Sequence, residues 1–477
     1  MYTARQIVQY PSRREWLRSA SAGFGWVAFK ALTAEAGTSQ TVHGPHFPAA
    51  AKRVIFLCMD GGPSHVDSFD YKPELSKRAG EPIGRGRIPS ARLLPSAWTF
   101  RQRGKSGLWI SDLFPEIAER ADDLCILNGM QTDVPNHPPA FVQLHTGIST
   151  SVRPSLGAWV TYGLGSENEE LPGFVTFSPP PGNGGPVNYG SAFLPAIHQA
   201  TRIGRPGGGP GAGGGPFRGA SDTVANIENP RLSKNEQRRQ LDYLQSRNRS
   251  ASSGDADGDS IEGLIEAHEL AFRMQDSLPE ALDIGRETAR TQSLYGIDEE
   301  ATSRFGRQCL MARRLLEAGV RFVEVCQGGW DQHRNLREDH SSRALAVDRP
   351  IAALLTDLER SGMLESTLVI WGGEFGRTPY AQVADGRDHN HLGFTTWFAG
   401  GGVKAGHVHG ATDPFGLEAV DGKVPIHDWH ATILHLLGLD HTQLTFRHAG
   451  RDMRLTDTKG SVVKSILDSS TAERSAD

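Results

Sequence analysis

Apolar residues along this chain bunch into short unbroken runs, most of which end in glycine or a charged side chain. VIFLCM at 54–59 leads into Asp60 and a Gly-Gly turn, and DLCILNGM at 123–130 leads into a loop. RFVEVCQ at 321–327, STLVIWGG at 366–373 and TTWFAGGG at 395–402 repeat the form. Runs of this length without polar alternation fit strands buried on both faces. Between them the spacing becomes helical. FGRQCLMARRLLEAG at 305–319 is amphipathic, with Gly319 as its stop. AVDRPIAALLTDLERSG at 346–362 puts Val347, Ile351, Leu354, Leu355 and Leu358 on one face, and DWHATILHLLGL at 428–439 predicts the final helix. Helix, strand, helix, strand with short connections predicts an α/β protein: a three-layer α/β/α sandwich around a mostly parallel central sheet.

Elsewhere the pattern is less regular. AFVQLHTG at 140–147 has mixed periodicity. TRIGRPGGGPGAGGGPFRGA at 201–220 holds too little apolar surface to offset its chain entropy and reads as a flexible loop. NEQRRQLDYLQSRNRS at 235–250 and IEGLIEAHELAFRMQ at 261–275 have helical spacing around a polar interruption, which predicts a helical insertion over about 230–290 within a domain spanning 50–465. Residues 466–477 read as a flexible tail.

The amino terminus, PSRREWLRSASAGFGWVAFKALTAEAG, carries Arg13 and Arg14, a weakly apolar stretch and an AEA sequence ending at Ala36. It resembles a twin-arginine signal over residues 1–36, which implies the twin-arginine export machinery as a partner and a periplasmic or extracellular location. No other segment approaches about 18 consecutive apolar residues, so no integral membrane segment is expected in the mature protein. A net charge of −5 with no dense Lys/Arg run argues against nucleic acid as a partner. The four cysteines are too few for a disulfide scaffold and read as buried thiols, with one disulfide left open in an exported protein.

Candidate chemistry gathers where the apolar runs end. The first run ends at Asp60, the run at 321–327 is followed by GGWDQHRN with Asp331 and His333, and STLVIWGG is followed by Glu374, with Asp388, His389 and His391 across a short polar loop. In a parallel sheet these positions share the carboxyl-terminal edge. Carboxylates and imidazoles gathered there suit one or two divalent ions of the Zn, Ca, Mn or Mg type.

VDRPIAALLTDLERSGMLESTLVIWGGEFG at 347–376 resembles a block found in the superfamily of alkaline phosphatases, sulfatases and cofactor-independent phosphoglycerate mutases. VIFLCMDGG resembles that superfamily's first metal-bearing strand, with Asp60 as its terminal aspartate. WDQH resembles its Asp-and-His metal motif with a shorter spacing, and in GGEFG Glu374 replaces the usual aspartate, leaving His389 or His391 to supply the adjacent ligand. A closer resemblance, to domain of unknown function 1501, is carried by SRREWLR, MDGGPSHVDSFD, PSLGAWVTYGLG, GGWDQH, GGEFGRTP, GRDHNH, HDWHATILHLLGLDH and GRDMRLTD, spread over almost the whole chain. These resemblances imply an alkaline phosphatase/sulfatase-like fold and a metal-dependent hydrolase of sulfate, phosphate or related esters, on a small molecule or a polysaccharide.

In that superfamily a Ser, Thr or formylglycine-forming Cys opens a helix that precedes a Thr-Gly. Counting back from Thr146-Gly147 lands on His137, and no Cys-x-Pro-Ser-Arg occurs in the chain. His137 as nucleophile or ligand, Thr132 or Ser64 as nucleophile, and attack by hydroxide generated at a metal all stay open. Arg377 is a candidate for gripping an ester anion, and His427 and His430 are candidates for supporting roles. The alternative reading is a non-catalytic, metal-stabilised protein that binds a glycan or an envelope component.

Overall fold

The apolar runs lie in a nine-stranded sheet. β1 (Arg53–Asp60), β2 (Leu124–Gln131), β3 (Phe174–Phe177), β4 (Thr201–Ile203), β5 (Phe322–Gly328) and β6 (Thr367–Gly372) belong to it. A separate hairpin of β7 (Gly376–Ala381) and β8 (Arg387–Asn390) follows. β9 (Phe394–Ala399), β10 (His407–His409) and β11 (Val424–Pro425) complete the sheet. The strand order is β10-β2-β9-β6-β1-β5-β3-β4, with β11 pairing the far end of β2. β9 is antiparallel to both its neighbours, β2 and β6, and the remaining pairs are parallel. This computed structural model describes residues 44–85, 88–204, 227, 231–252 and 258–474.

Alternation along the strands builds two cores. Ile55, Leu57 and Met59 of β1 pack with α5 (Ser303–Glu317) and α6 (Leu336–Arg360). Val54, Phe56 and Cys58 pack on the other side with α1 (His137–Thr146), α2 (Leu156–Leu164) and α7 (Ile426–Leu436). The result is a mixed α/β fold of three layers. The stripe on α6 is fully covered, with Val347, Ile351, Leu354, Leu355 and Leu358 all at 0% exposure, and each such side chain contributes roughly 1.5–3 kcal/mol. α3 (Lys234–Ser252) and α4 (Gly258–Leu282) form a helical pair, and Leu278 and Ala281 of α4 join the α5–α6 core.

Several expectations change. AFVQLHTG is part of α1: Pro138 and Pro139 suit its first turn, and Gly147 caps its end at φ +78. α6 begins well before Ala346, at Leu336. Thr201–Ile203, expected in a flexible loop, is an edge strand paired to β3, whereas 205–226 and the leader at 1–36 lie outside the described residues. The polar loop after Glu374 is the β7–β8 hairpin. Beyond α7 a short helix, Ser469–Arg474, follows Ile466 and Leu467, which are buried.

Candidate metal centre

β5, β1 and β6 are adjacent and parallel, so their carboxyl ends open at one edge. Asp60 ends β1, and Asp331 and Glu374 stand just past the ends of β5 and β6. Gly61 lets the strand ends close up: its φ is +113, and a Cβ there would lie 2.6 Å from the Asp331 backbone nitrogen. Its N–H donates to both oxygens of the buried Glu374, at 3.1 and 3.3 Å.

Four side chains converge at this edge. Asp331 Oδ1 lies 2.8 Å from His333 Nε2, 3.1 Å from His137 Nε2 and 3.3 Å from His389 Nε2. The Nε2 atoms of His333 and His389 are 2.9 Å apart, and one ligand atom from each of the four residues falls within 4.8 Å of every other. The four side chains reach this point from different elements. His137 opens α1, Asp331 and His333 follow β5, and His389 is on β8 opposite Arg377 of β7. Phe375 packs against the rings of both His137 and His389, at 4.7 Å between centroids.

Each imidazole is tethered through its other nitrogen. His137 Nδ1 bonds Glu374 Oε1 at 2.5 Å, His389 Nδ1 bonds the Pro135 carbonyl at 2.7 Å, and His333 Nδ1 bonds Gln382 Oε1. With Nδ1–H donating outward, every Nε2 lone pair turns inward, the arrangement of histidines that ligate metals. Three lone pairs and a carboxylate facing one another repel unless a cation or added protons lie among them. The donor set, three imidazoles and one carboxylate, fits a zinc-type ion better than calcium or magnesium, which favour oxygen. The Asp331 side chain is 44% exposed, which leaves one side of the centre open.

The charges around it are strongly coupled. Burial opposes ionisation of Asp331, but His137, His389 and the Arg377 guanidinium outweigh it and hold its carboxyl well below the usual range. Burial also opposes a charged His137, yet Asp331 and Glu374 hold its imidazole up at about 9. Asp60 is pushed up to about 7, by burial first and then by Glu374, against the Asn183 amide, which donates to its Oδ1 at 2.6 Å.

The other candidates lie elsewhere. Glu374 stands one layer behind the cluster, and Asp60 is outside the four converging atoms. Asp388 accepts the backbone N–H of His389 at 2.9 Å, and His391 lies near Asp133. Arg377 is fully buried, and its donors go to the carbonyls of Gly61, Gly62 and Arg387 and to Asp331. It braces the strand ends and has no fork left for an ester. Ser64 is buried and donates to Asp67 at 2.5 Å, while the buried Thr132 donates to Gln143 at 2.8 Å, so neither hydroxyl is aimed at the cluster. His430 donates to the Leu144 carbonyl at 2.8 Å, and His427 reaches Gly147, so both brace the far end of α1. The tethers Gln382 and Pro135, and Asn183 beside Asp60, sit in loops whose sequence marks turns but not where they fold back.

The curated proteins contain no match to the chain. Among solved structures it is similar to a phosphonate monoester hydrolase, SpPMH, from Silicibacter pomeroyi, with 11% identity and a TM-score of 0.37 over 86% of this chain and 77% of that one. It is also similar to the lipoteichoic acid synthase LtaP from Listeria monocytogenes, with 10% identity and a TM-score of 0.34 over 88% and 77%. A third is a protein in the alkaline phosphatase superfamily from Vibrio parahaemolyticus, with 9% identity and a TM-score of 0.33 over 84% and 70%. The family model described as a protein of unknown function (DUF1501) matches residues 51–467. That match runs from the start of β1 to past α7 and takes in every residue of the cluster, and the chain belongs to the DUF1501 family.

Proposed function

We propose that the protein is a metal-dependent hydrolase of sulfate, phosphate or related esters, with a single zinc-type ion held by His137, Asp331, His333 and His389. The observation that carries this reading is the convergence of three tethered imidazoles on one carboxylate oxygen at an edge open to solvent. When bound, such an ion supplies Lewis acidity to an ester oxygen and to the attacking water. The chain's own residues do the positioning. Glu374 holds the His137 ring, Arg377 holds Asp331 from below, and the exposed side of Asp331 leaves room for an ester to approach. With residues 1–36 as a twin-arginine leader, the substrate would lie outside the cytoplasm, as a decorated polysaccharide does. Among the described residues no helix is long and apolar enough to cross a membrane.

A second reading, a metal-stabilised binding protein, is favoured by one observation: the hydroxyls of Ser64 and Thr132 are buried in hydrogen bonds away from the cluster. One experiment separates the two. Protein purified without chelator is assayed for metal by mass spectrometry and for turnover of aryl sulfate, phosphate and phosphonate esters, beside His389→Ala. The hydrolase reading expects one equivalent of metal, turnover of at least one ester class, and loss of both in a variant that keeps its circular dichroism. A metal-loaded wild type that turns over none of the esters, with a variant that loses only melting temperature, supports the binding protein. Well-folded wild type without metal sinks both.

A further inference from the structure

Behind the solvent-facing centre, on the α1 side of the sheet, a second group of ligand atoms lies wholly inside the protein. Cys58 of β1, Glu324 of β5 and His145 of α1 are exposed by only 0%, 1% and 4%. A sulfur, a carboxylate oxygen and a ring nitrogen from them lie within 4.8 Å of one another. Cys326 is the register partner of Cys58 across β1 and β5, and the two thiols hydrogen-bond. Two-residue alternation puts Glu324 on the same sheet face as Cys326.

These side chains are aimed as well as gathered. His145 Nδ1 donates to the Phe141 carbonyl at 2.8 Å, which leaves Nε2 facing Glu324 Oε1 at 2.6 Å. The Thr176 hydroxyl donates to the other carboxylate oxygen at 2.7 Å. With the ring proton on Nδ1, a neutral His145 and an ionised Glu324 meet lone pair to lone pair, which an extra proton or a cation must relieve. A proton accounts for the His–Glu contact; a divalent ion accounts for that contact and also engages the Cys58 sulfur lying within reach of both. A thiolate, a carboxylate and a neutral imidazole sum to two negative charges, which one divalent ion cancels in an interior where uncompensated charge is costly. We infer that Cys58, His145 and Glu324 hold a second, structural zinc-type ion, with the Cys326 thiol, hydrogen-bonded to Cys58, as the candidate fourth donor. This site stands whether or not the solvent-facing centre is catalytic, and its enclosure is that of a closed structural site.

Full-length protein produced in cobalt-supplemented medium tests it. Thiolate ligation gives a near-ultraviolet sulfur-to-cobalt charge-transfer band, whereas the donors of the solvent-facing centre are three imidazoles and a carboxylate. Wild type is expected to show the band. His389→Ala should lower the total metal but keep the band, and Cys58→Ser should lose both the band and the buried equivalent. Should Cys58→Ser fail to fold, the wild-type and His389→Ala spectra still decide. Cobalt-grown wild type without the band, whatever metal it holds elsewhere, overturns the proposal.

Discussion

Zinc binding at the solvent-facing centre is expected to expel a proton, and the affinity to climb steeply from neutral to alkaline pH. In the metal-free protein burial disfavours a charged His137, yet Asp331, 3.1 Å from Nε2, and Glu374, 2.5 Å from Nδ1, outweigh it and hold the imidazolium up at about 9. A ligand must offer a lone pair, so the entering ion displaces that proton. At pH 7, two units lower, the displacement costs about 2.7 kcal/mol, from about 1.36 kcal/mol per unit. Affinity then rises roughly fiftyfold by pH 9, where half of His137 is already deprotonated, and flattens above. Stability of the metal-free protein runs the opposite way. A folded pKa raised from 6.5 to about 9 contributes stability that is fully present below 6.5 and is lost as pH rises through about 9. The assay is competition for zinc against a chelator of known affinity across this range. Calorimetry in two buffers of different ionisation enthalpy counts the proton, and urea midpoints follow the metal-free protein. A flat affinity with no proton released would refute the placement of His137 as a ligand clamped between two carboxylates.

Three further outcomes follow from individual contacts. Gln382→Ala removes the acceptor that orients His333 while touching an exposed residue. Zinc affinity should fall about tenfold, the lower end of what such partners contribute, and unchanged affinity in the same competition assay would mean that His333 needs no tether. Arg387→Met breaks a pair in which both Arg387 and Asp67 are at 0% exposure, joined at 2.7 and 3.1 Å. Leaving Asp67 unpaired should cost roughly 3–5 kcal/mol in urea denaturation, and a loss under about 1 kcal/mol would contradict that assignment. Burial depresses His340 to about 4 and His430 to about 3. The unfolded chain therefore takes up protons below 6.5 that the folded protein refuses, and stability should fall on acidification by up to about 1.4 kcal/mol per pH unit for each histidine. Identical urea midpoints at neutral and mildly acid pH would show that these rings are not held neutral.

The sheet was legible because its signal is local. β1 and β6 are nearly continuous apolar runs, β5 and β9 are mostly apolar runs broken by Glu324 and by Thr395 and Thr396, and the α6 stripe repeats at helical spacing, so each announces itself without knowledge of its neighbours. What escaped depends on distant partners. The start of α6 at Leu336 lies far from its apolar stripe, and the chain there is held by Asp385 on the β7–β8 turn, which accepts from the backbone nitrogens of Asn335 and Arg337. In sequence Arg377 reads as an anion grip, because its local context cannot reveal that the Gly61 and Gly62 carbonyls after β1 fold over it. Ser64 likewise looks free in sequence, and only the fold brings Asp67 and Arg387 together beside it.

The spacing of the acid and the histidine after β5 has a geometric reason. A motif separated by four residues places two side chains on one face of a helix, which residues two apart do not share. The segment after β5 carries no helix, and Asp331 and His333 both meet the cluster. Gln332 between them turns inward at 3% exposure and bonds His340 Nδ1 at 2.8 Å. On β8 strand alternation turns His389 to the cluster while Asn390 turns inward to the Gly393 and Gly416 carbonyls. The cluster is therefore assembled from a helix start, a turned segment after β5 and a strand, with a buried amide, Gln332 or Asn390, standing beside His333 and His389. Loss of Gln332 or Asn390 is expected to shift the His333 or His389 side chain beside it, which makes those two buried amides supports of the cluster.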